Sequence, residues 1–383
     1  MSNDALALTR DLIARRSLTP DDAGCQTLIA ERLGRAGFEC TALRFGDVDN
    51  LWAVAGPDDQ ATSGPLLCFA GHTDVVPPGD ATDWRHEPFQ AAIDNDQLYG
   101  RGAADMKTGV AAIVTAVEQF RAAHPDHRGR IGVLLTSDEE GPAVNGTRAV
   151  VEWLTAHHIQ IDYCVVGEPT AVQTLGDTIK VGRRGSLNAR ISVEGHQGHV
   201  AYPQMADNAG HRLIGLLDEL VAVQWDDGDE LFPPTSFQIS NIAAGTGAEN
   251  VIPGRAIADC NWRFNTKWSA ATIQRSIEQR CYAHGIDPNG VQWRCSGEPF
   301  VTRHGALIDA ARQAIRTQKG RTPQLSTAGG TSDARYIAPT GAEVVEIGPV
   351  NATIHQIDER VASTDPDQLA AIYGDILAEL LTG

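Results

Sequence analysis

The sequence predicts an α/β fold: a larger domain whose sheet is covered by helices, and an inserted, smaller α+β domain. Three observations lead there. Apolar runs of strand length alternate with helical stretches over residues 38–167, the pattern of a parallel sheet buried on both faces. From about residue 182 the strands alternate apolar and polar positions instead, which suits a sheet with one covered face. The first texture then resumes, and 383 residues exceed what one core usually organises. The simplest arrangement is a discontinuous domain, 1–182 with 297–383, interrupted by a second one over 183–296.

The elements follow in order. Residues 3–16 and 24–36 carry apolar positions at helical spacing, and 38–45, 50–55 and 66–70 read as strands. The segment LYGRGAADMK is strand-like and leads to Asp105 just before a helix over 106–123. A buried strand, IGVLLTS, spans 131–137. A helix near 147–157 and the apolar run YCVVG at 163–167 follow. In the insert, strands at 187–194, 236–242, 256–264 and 290–295 surround helices near 206–223 and 269–284. A helical stretch at 305–317, an apolar run at 343–347 and a helix at 366–381 return to the first domain.

Composition narrows the class. The formal charge is −18, from 31 basic and 49 acidic residues, so nucleic acid and anionic membrane surfaces are not expected partners, since both need a basic footprint. A small anionic substrate stays possible where basic groups gather locally. No run approaches a membrane span, and the opening residues lack the pattern of a signal peptide. Seven scattered cysteines with no CxxC fit reduced thiols in a cytoplasm better than a disulfide framework or thiolate metal site.

The chemistry is expected where strands end, which is where open α/β sheets place their sites. His72 and Asp74 follow strand 66–70 and, at i and i+2, face the same way; a carboxylate there can orient a ligating imidazole. Taken singly, this HxD is more often structural, and Asp105 alone would read as a helix N-cap. Strand 131–137 runs into Asp138-Glu139-Glu140, where one carboxylate can bind metal while its neighbour handles a proton. Glu168 ends the next strand, and His355 follows the run 343–347. Two imidazoles and at least four carboxylates thus gather at neighbouring strand ends. Such N/O donors suit zinc, with cobalt or manganese as substitutes. Charge counting favours two ions, because clustered carboxylates without cations repel one another.

Segments spread over the chain then take on joint meaning: FAGHTDVVPPGD (69–80), LYGRGAADMK (98–107), TSDEEGPAVNGT (136–147), VVGEPT (165–170), IKVGRRGSL (179–187), QGHVAYP (197–203), NVIPG (250–254), STAGGTSDAR (326–335) and IHQIDE (354–359). With these the chain resembles the M20 metallopeptidases, and within them the bacterial succinyl-diaminopimelate desuccinylases. The resemblance implies a metallopeptidase catalytic domain made of 1–182 with 297–383, a lid or dimerisation domain over 183–296, and two Zn2+ per subunit. Asp105 would bridge them, His72 and Glu168 would complete one site, and Glu140 and His355 the other. It also implies Asp74 orienting the His72 side, Glu139 as general acid/base, and His199 donating to the oxyanion from the partner subunit of a homodimer. Substrate contacts are implied for Lys180, Arg183, Arg184, Tyr202, Asn250, Arg263, Gly330, Thr331, Ser332 and Asn351. His196, Ala328 and Ala334 depart from the family's usual residues, and none is a ligand.

Three readings follow: hydrolysis of an N-succinyl amide, another amide hydrolase of the same family such as an acetylornithine deacetylase or carboxypeptidase, or a metal-stabilised scaffold without catalysis. GRRGSL, QGHVAYP and GGTSDAR favour the first, and a base beside a ligand argues against the third. No GxSxG or HExxH occurs, so the corresponding serine and single-zinc mechanisms are not expected.

Overall fold

The computed structural model describes residues 5–56 and 64–382; residues 3 and 4 of the first expected helix lie outside them. The chain forms two compact units. The first comprises Met1–Gly182, Thr302–Ser326 and Ser332–Gly383, the second Arg183–Val301 and Thr327–Thr331.

The first unit is built on an eight-stranded sheet in the spatial order Glu39–Phe45, Val48–Ala55, Arg130–Thr136, Leu66–His72, Tyr163–Val166, Glu343–Glu346, Thr178–Lys180, Gln324–Ser326. The four middle strands from Arg130–Thr136 to Glu343–Glu346 run parallel. The sheet as a whole is mixed, which corrects the expectation of a parallel one. Glu39–Phe45 and Val48–Ala55 pair antiparallel because only Gly46 and Asp47 separate them, and a connection that short cannot cross over to make a parallel pair. Gly46 carries the positive φ of 61° that such a tight turn uses. The outermost strand is only partly buried, whereas Leu66–His72 is buried at every position.

Parallel register sets the functional edge. His72 pairs with Thr136, and Ala70 with Val166, so three strands end together. Helix Thr108–Ala123 is buried along most of its length, as its near-continuous apolar sequence requires. A small antiparallel sheet joins Ala92–Asp94, Gln97–Tyr99 and Arg360–Ala362. Three-residue strands are too short to show a period; the strand-like run LYGRGAADMK overlaps only Gln97–Tyr99 and gives way to a tight turn at 103–107, and the other two strands were not read from sequence.

The second unit has a four-stranded antiparallel sheet in the order Ser236–Ala244, Arg255–Phe264, Gly185–Glu194, Val291–Gly297. Helices Ala209–Ala222 and Ala270–Ala283 share its core with Leu187, Ile191, Trp262 and Phe264. Asn208 caps the first helix, and a Ser269–Thr272 capping box starts the second. Along Arg255–Phe264, buried positions alternate with more exposed ones, the period-two signature of a sheet covered on one face.

Candidate metal centre

His72 ends its strand buried in the first unit, and its two ring nitrogens have separate duties. Nδ1 donates to the Asp74 backbone carbonyl at 2.9 Å. That leaves Nε2 facing the acids, 3.1 Å from Asp105 Oδ1 and 3.7 Å from Glu168 Oε1, as the nitrogen that an ion would take. The Asp74 carboxylate is 3.6 Å from Nδ1 and instead accepts the backbone N–H groups of Glu139 and Glu140 at 3.4 and 3.1 Å. Asp74 therefore steers His72 through its main chain and the Glu139–Glu140 turn through its side chain.

Asp105 sits in a tight turn at 103–107 ahead of helix Thr108–Ala123, with a cis peptide to Met106. Its Oδ1 faces His72 while its Oδ2 lies 3.3 Å from His355 Nε2. One carboxylate thus spans the two imidazoles. His355 Nε2 also lies 2.9 Å from Glu140 Oε1. Among the three consecutive acids, Asp138 serves the loop itself, because its Oδ2 accepts the N–H groups of Val144 and Asn145 and closes the segment. Donor atoms of His72, Asp105 and Glu140 lie within 4.8 Å of one another, as do those of His72, Glu139 and Glu168.

Charges in this space are heavily displaced. Burial, then the neighbouring Asp333 carboxylate, pushes Glu139 well above the usual range. Burial and the nearby Asp105 do the same to Glu168, and burial raises Asp74 to about 6. Burial works against the charged forms of both His72 and Asp105, yet hydrogen bonding overrides it: the bond to Asp105 helps raise His72 well above its ordinary value, and bonds to His355 and then His72 lower Asp105. Hydrogen bonds to Asp105 and Glu140 lift His355 to about 10. Acids held this close are what a pair of divalent cations resolves. The donor set of two imidazoles and four carboxylates, with the His72 proton already parked on the far nitrogen, fits such ions.

Glycines set the room for Glu168. A Cβ on Gly109 would lie 2.1 Å from the carbonyl oxygen of Gly167, and one on Gly348 would lie 2.1 Å from that of Glu168. Both collisions are with backbone, so nothing flexible can yield. Gly109→Ala is expected to cost roughly 1–3 kcal/mol of stability by overpacking and to shift Glu168 away from the candidate ion site. Thermal unfolding and metal stoichiometry check this; an unchanged melting point and full metal content would contradict it.

The other expected site residues divide between the units. In the first, Lys180 is buried with Nζ 3.1 Å from Ser326 Oγ. Ser332 is buried against Glu346, and Asn351 is half-buried. In the second, His199 and Val251 are paired and the Asn250 carbonyl accepts from Val200, bringing His199, Tyr202 and Asn250 together, all exposed. His199 Nδ1 accepts the Ala201 N–H at 3.0 Å, which leaves the proton on Nε2. Arg183 donates to the Ala328 carbonyl beside Gly329, whose φ of 115° and close approach to the guanidinium exclude a side chain. Gly330 and Thr331 follow, exposed and half-buried. Arg184 and Arg263 form a pair of their own. Burial and then the Arg263 charge lower the pKa of Arg184, burial lowers that of Arg263, and Arg184 Nε is buried without a hydrogen-bond partner.

Two residues with consequences were not singled out by sequence. Asp333 is the buried acid against Glu139, hidden inside GGTSDAR, where it looks like part of a turn. Glu359 ends IHQIDE and is wholly buried; an acid directly after an apolar-flanked histidine motif was the one signal available.

Known proteins resemble the chain in both sequence and fold. The profile of peptidase family M20/M25/M40 matches residues 68–379. A succinyl-diaminopimelate desuccinylase of Thioalkalivibrio sulfidiphilus is 57% identical over 379 residues, 99% of both chains. One from Halorhodospira halophila is 58% identical over 98% of both. Among solved structures, an M20 metallo-carboxypeptidase from Sulfolobus solfataricus superposes with a TM-score of 0.78 at 16% identity, covering 98% of each chain. A dinuclear metal-binding M20 peptidase from Bacillus subtilis gives 0.66 at 18% identity, again over 98% of each.

Proposed function

The chain belongs to peptidase family M20/M25/M40, and from that premise we propose that it hydrolyses the amide of N-succinyl-LL-2,6-diaminopimelate to succinate and LL-2,6-diaminopimelate. This is a step of lysine and diaminopimelate biosynthesis. The observation that carries the reading is the Asp105 carboxylate spanning His72 and His355, within a chain 57% identical over nearly its full length to a relative of that activity. The matching relatives favour this substrate over those of an acetylornithine deacetylase or carboxypeptidase.

Two divalent ions would be held by His72, Asp105 and Glu168 on one side and by Asp105, Glu140 and His355 on the other. Zinc is the assignment these N/O donors favour, with cobalt or manganese able to substitute. Such ions lower the pKa of water and polarise a carbonyl. Glu139 takes the proton of the attacking water as its oxygen bonds to the carbonyl carbon, then delivers it to the nitrogen as the C–N bond breaks. Its raised proton affinity suits both halves of that role. Asp74 fixes the turn that aims it. Nε2–H of His199 is the donor we assign to the developing oxyanion, reaching in from a second copy of the chain.

A homodimer is supported by the second unit's surface. Ser236–Ala244 is an edge strand exposed along most of its length, and Ile242, Val200 and Met205 are apolar and exposed there. A cytoplasmic location is the further assignment, resting on seven cysteines outside any disulfide and a biosynthetic role; no helix among the described residues is long and apolar enough to cross a membrane.

The Arg184–Arg263 pair is assigned to a substrate carboxylate, since two crowded guanidiniums with an unsatisfied nitrogen call for an anion. The testing experiment compares succinylated with acetylated diaminopimelate. We expect kcat/KM to favour the succinyl substrate by roughly 100-fold or more, because losing the carboxylate strands buried donors, and Arg184→Ala to erase most of that preference. Equal rates on both substrates would defeat the reading.

A further inference from the structure

The structure assigns Glu359 as a positioning residue that locks the Asp105 turn to the His355 loop and thereby sets occupancy of the ion site those two residues share with Glu140. The assignment rests on the two-ion reading above.

Glu359 is wholly buried, and both its oxygens are saturated by one short segment. Oε2 accepts Arg101 Nη1 at 2.6 Å and the Gly102 N–H at 3.0 Å. Oε1 accepts the N–H groups of Ala104 at 2.8 Å and Asp105 at 3.0 Å. The Arg101 guanidinium is itself fixed over the Trp84 ring, 5.2 Å from its centroid. The Glu359 carbonyl accepts the N–H of Gly100, and the ladder between Arg360–Ala362 and Gln97–Tyr99 continues directly from it. Residues 97–105 and 359–362 are therefore stitched into one piece. His355, half-exposed on the loop that precedes it, is held to Asp105 through that piece.

The two ion sites depend on this clamp unequally. His72 and Glu168 follow central strands of the large sheet, which the parallel ladders fix without Glu359. His355 has no strand of its own, with a φ of 61° in an irregular loop. Loosening the clamp leaves the His72–Glu168 pair in place and lets Asp105 and His355 drift apart.

The test is Glu359→Gln, which keeps size but turns one acceptor into an NH2 group facing backbone N–H donors. Zinc is titrated into metal-stripped protein against a chromophoric chelator, alongside wild type. Wild type should take up two ions; the variant should hold the first within about threefold and the second 10–100-fold more weakly, the usual loss when a partner behind a ligand is removed. Equal weakening of both sites, or no change in either, overturns the assignment while the two-ion reading stands. A wild type binding fewer than two ions defeats the underlying reading and this assignment with it. If the variant does not fold, Arg101→Met removes only the charged donor. It should weaken the second ion selectively by a smaller factor, and unchanged second-ion binding in it is equally fatal.

Discussion

Replacing Glu139 with glutamine lowers turnover of the succinylated substrate by about two to four orders of magnitude, the range a positioned general acid–base contributes, with KM little altered. Each link in this expectation is local. The turn carrying Glu139 is hooked by Asp74 through the N–H groups of residues 139 and 140. Its carboxylate lies within 4.8 Å of the donor atoms of His72 and Glu168, beside the proposed ion site. Burial and Asp333 raise its proton affinity, as a group that must both accept and return a proton requires. Glutamine preserves the shape and removes only the proton traffic. The loss should therefore appear in kcat, with metal content unchanged; near-normal kcat in fully metallated Glu139→Gln would remove Glu139 as the base.

Stripping the metal with a chelator should abolish activity, and adding zinc back should restore it. The same treatment should lower the melting temperature by about 5 °C or more, as expected when a ligand well above its dissociation constant is withdrawn. The stripped protein should also lose stability as pH rises. Asp74 and His355 both have folded pKa values above their unfolded ones. Each contributes stability that is complete below the unfolded value and lost as pH passes the folded one: from 3.8 to about 6 for Asp74 and from 6.5 to about 10 for His355. Glu139 and Glu168, raised by burial, act in the same sense. The gap in melting temperature between loaded and stripped protein should widen from pH 5 to pH 9, since metal binding also needs its ligands deprotonated. A gap that narrows over that range would contradict the crowded-acid account.

Much of this was legible before any coordinates. IGVLLTS and YCVVG are apolar enough to announce buried strands, and a parallel sheet gathers strand ends whatever the loops do, so His72, Glu139, Glu140 and Glu168 could be grouped from sequence. His355 joined them because it follows the apolar run 343–347, whereas Asp105, which alone reads as a helix N-cap, took its place only through the family resemblance. Strand direction at the sheet's margin was not legible, because it follows from the two-residue Gly46–Asp47 turn and not from hydrophobicity. Nor were the backbone partners of the Asp74 carboxylate, whose orienting of the His72 side was expected, or any role for Glu359. Each carboxylate acts on backbone N–H groups of another segment, from 65 to 257 residues away, and backbone donors leave no trace in side-chain patterns.

The place of Glu343–Glu346 between Tyr163–Val166 and Thr178–Lys180 bears on how the chain is made. A ribosome delivers the second unit before it delivers that strand. Until then the half-built sheet keeps a gap at its centre, with apolar strands on either side offering unsatisfied backbone groups to any passing segment. Arrest or cleavage within residues 183–301 should therefore yield sticky N-terminal fragments that depend on chaperones. Supplying the missing C-terminal piece in trans should render them soluble.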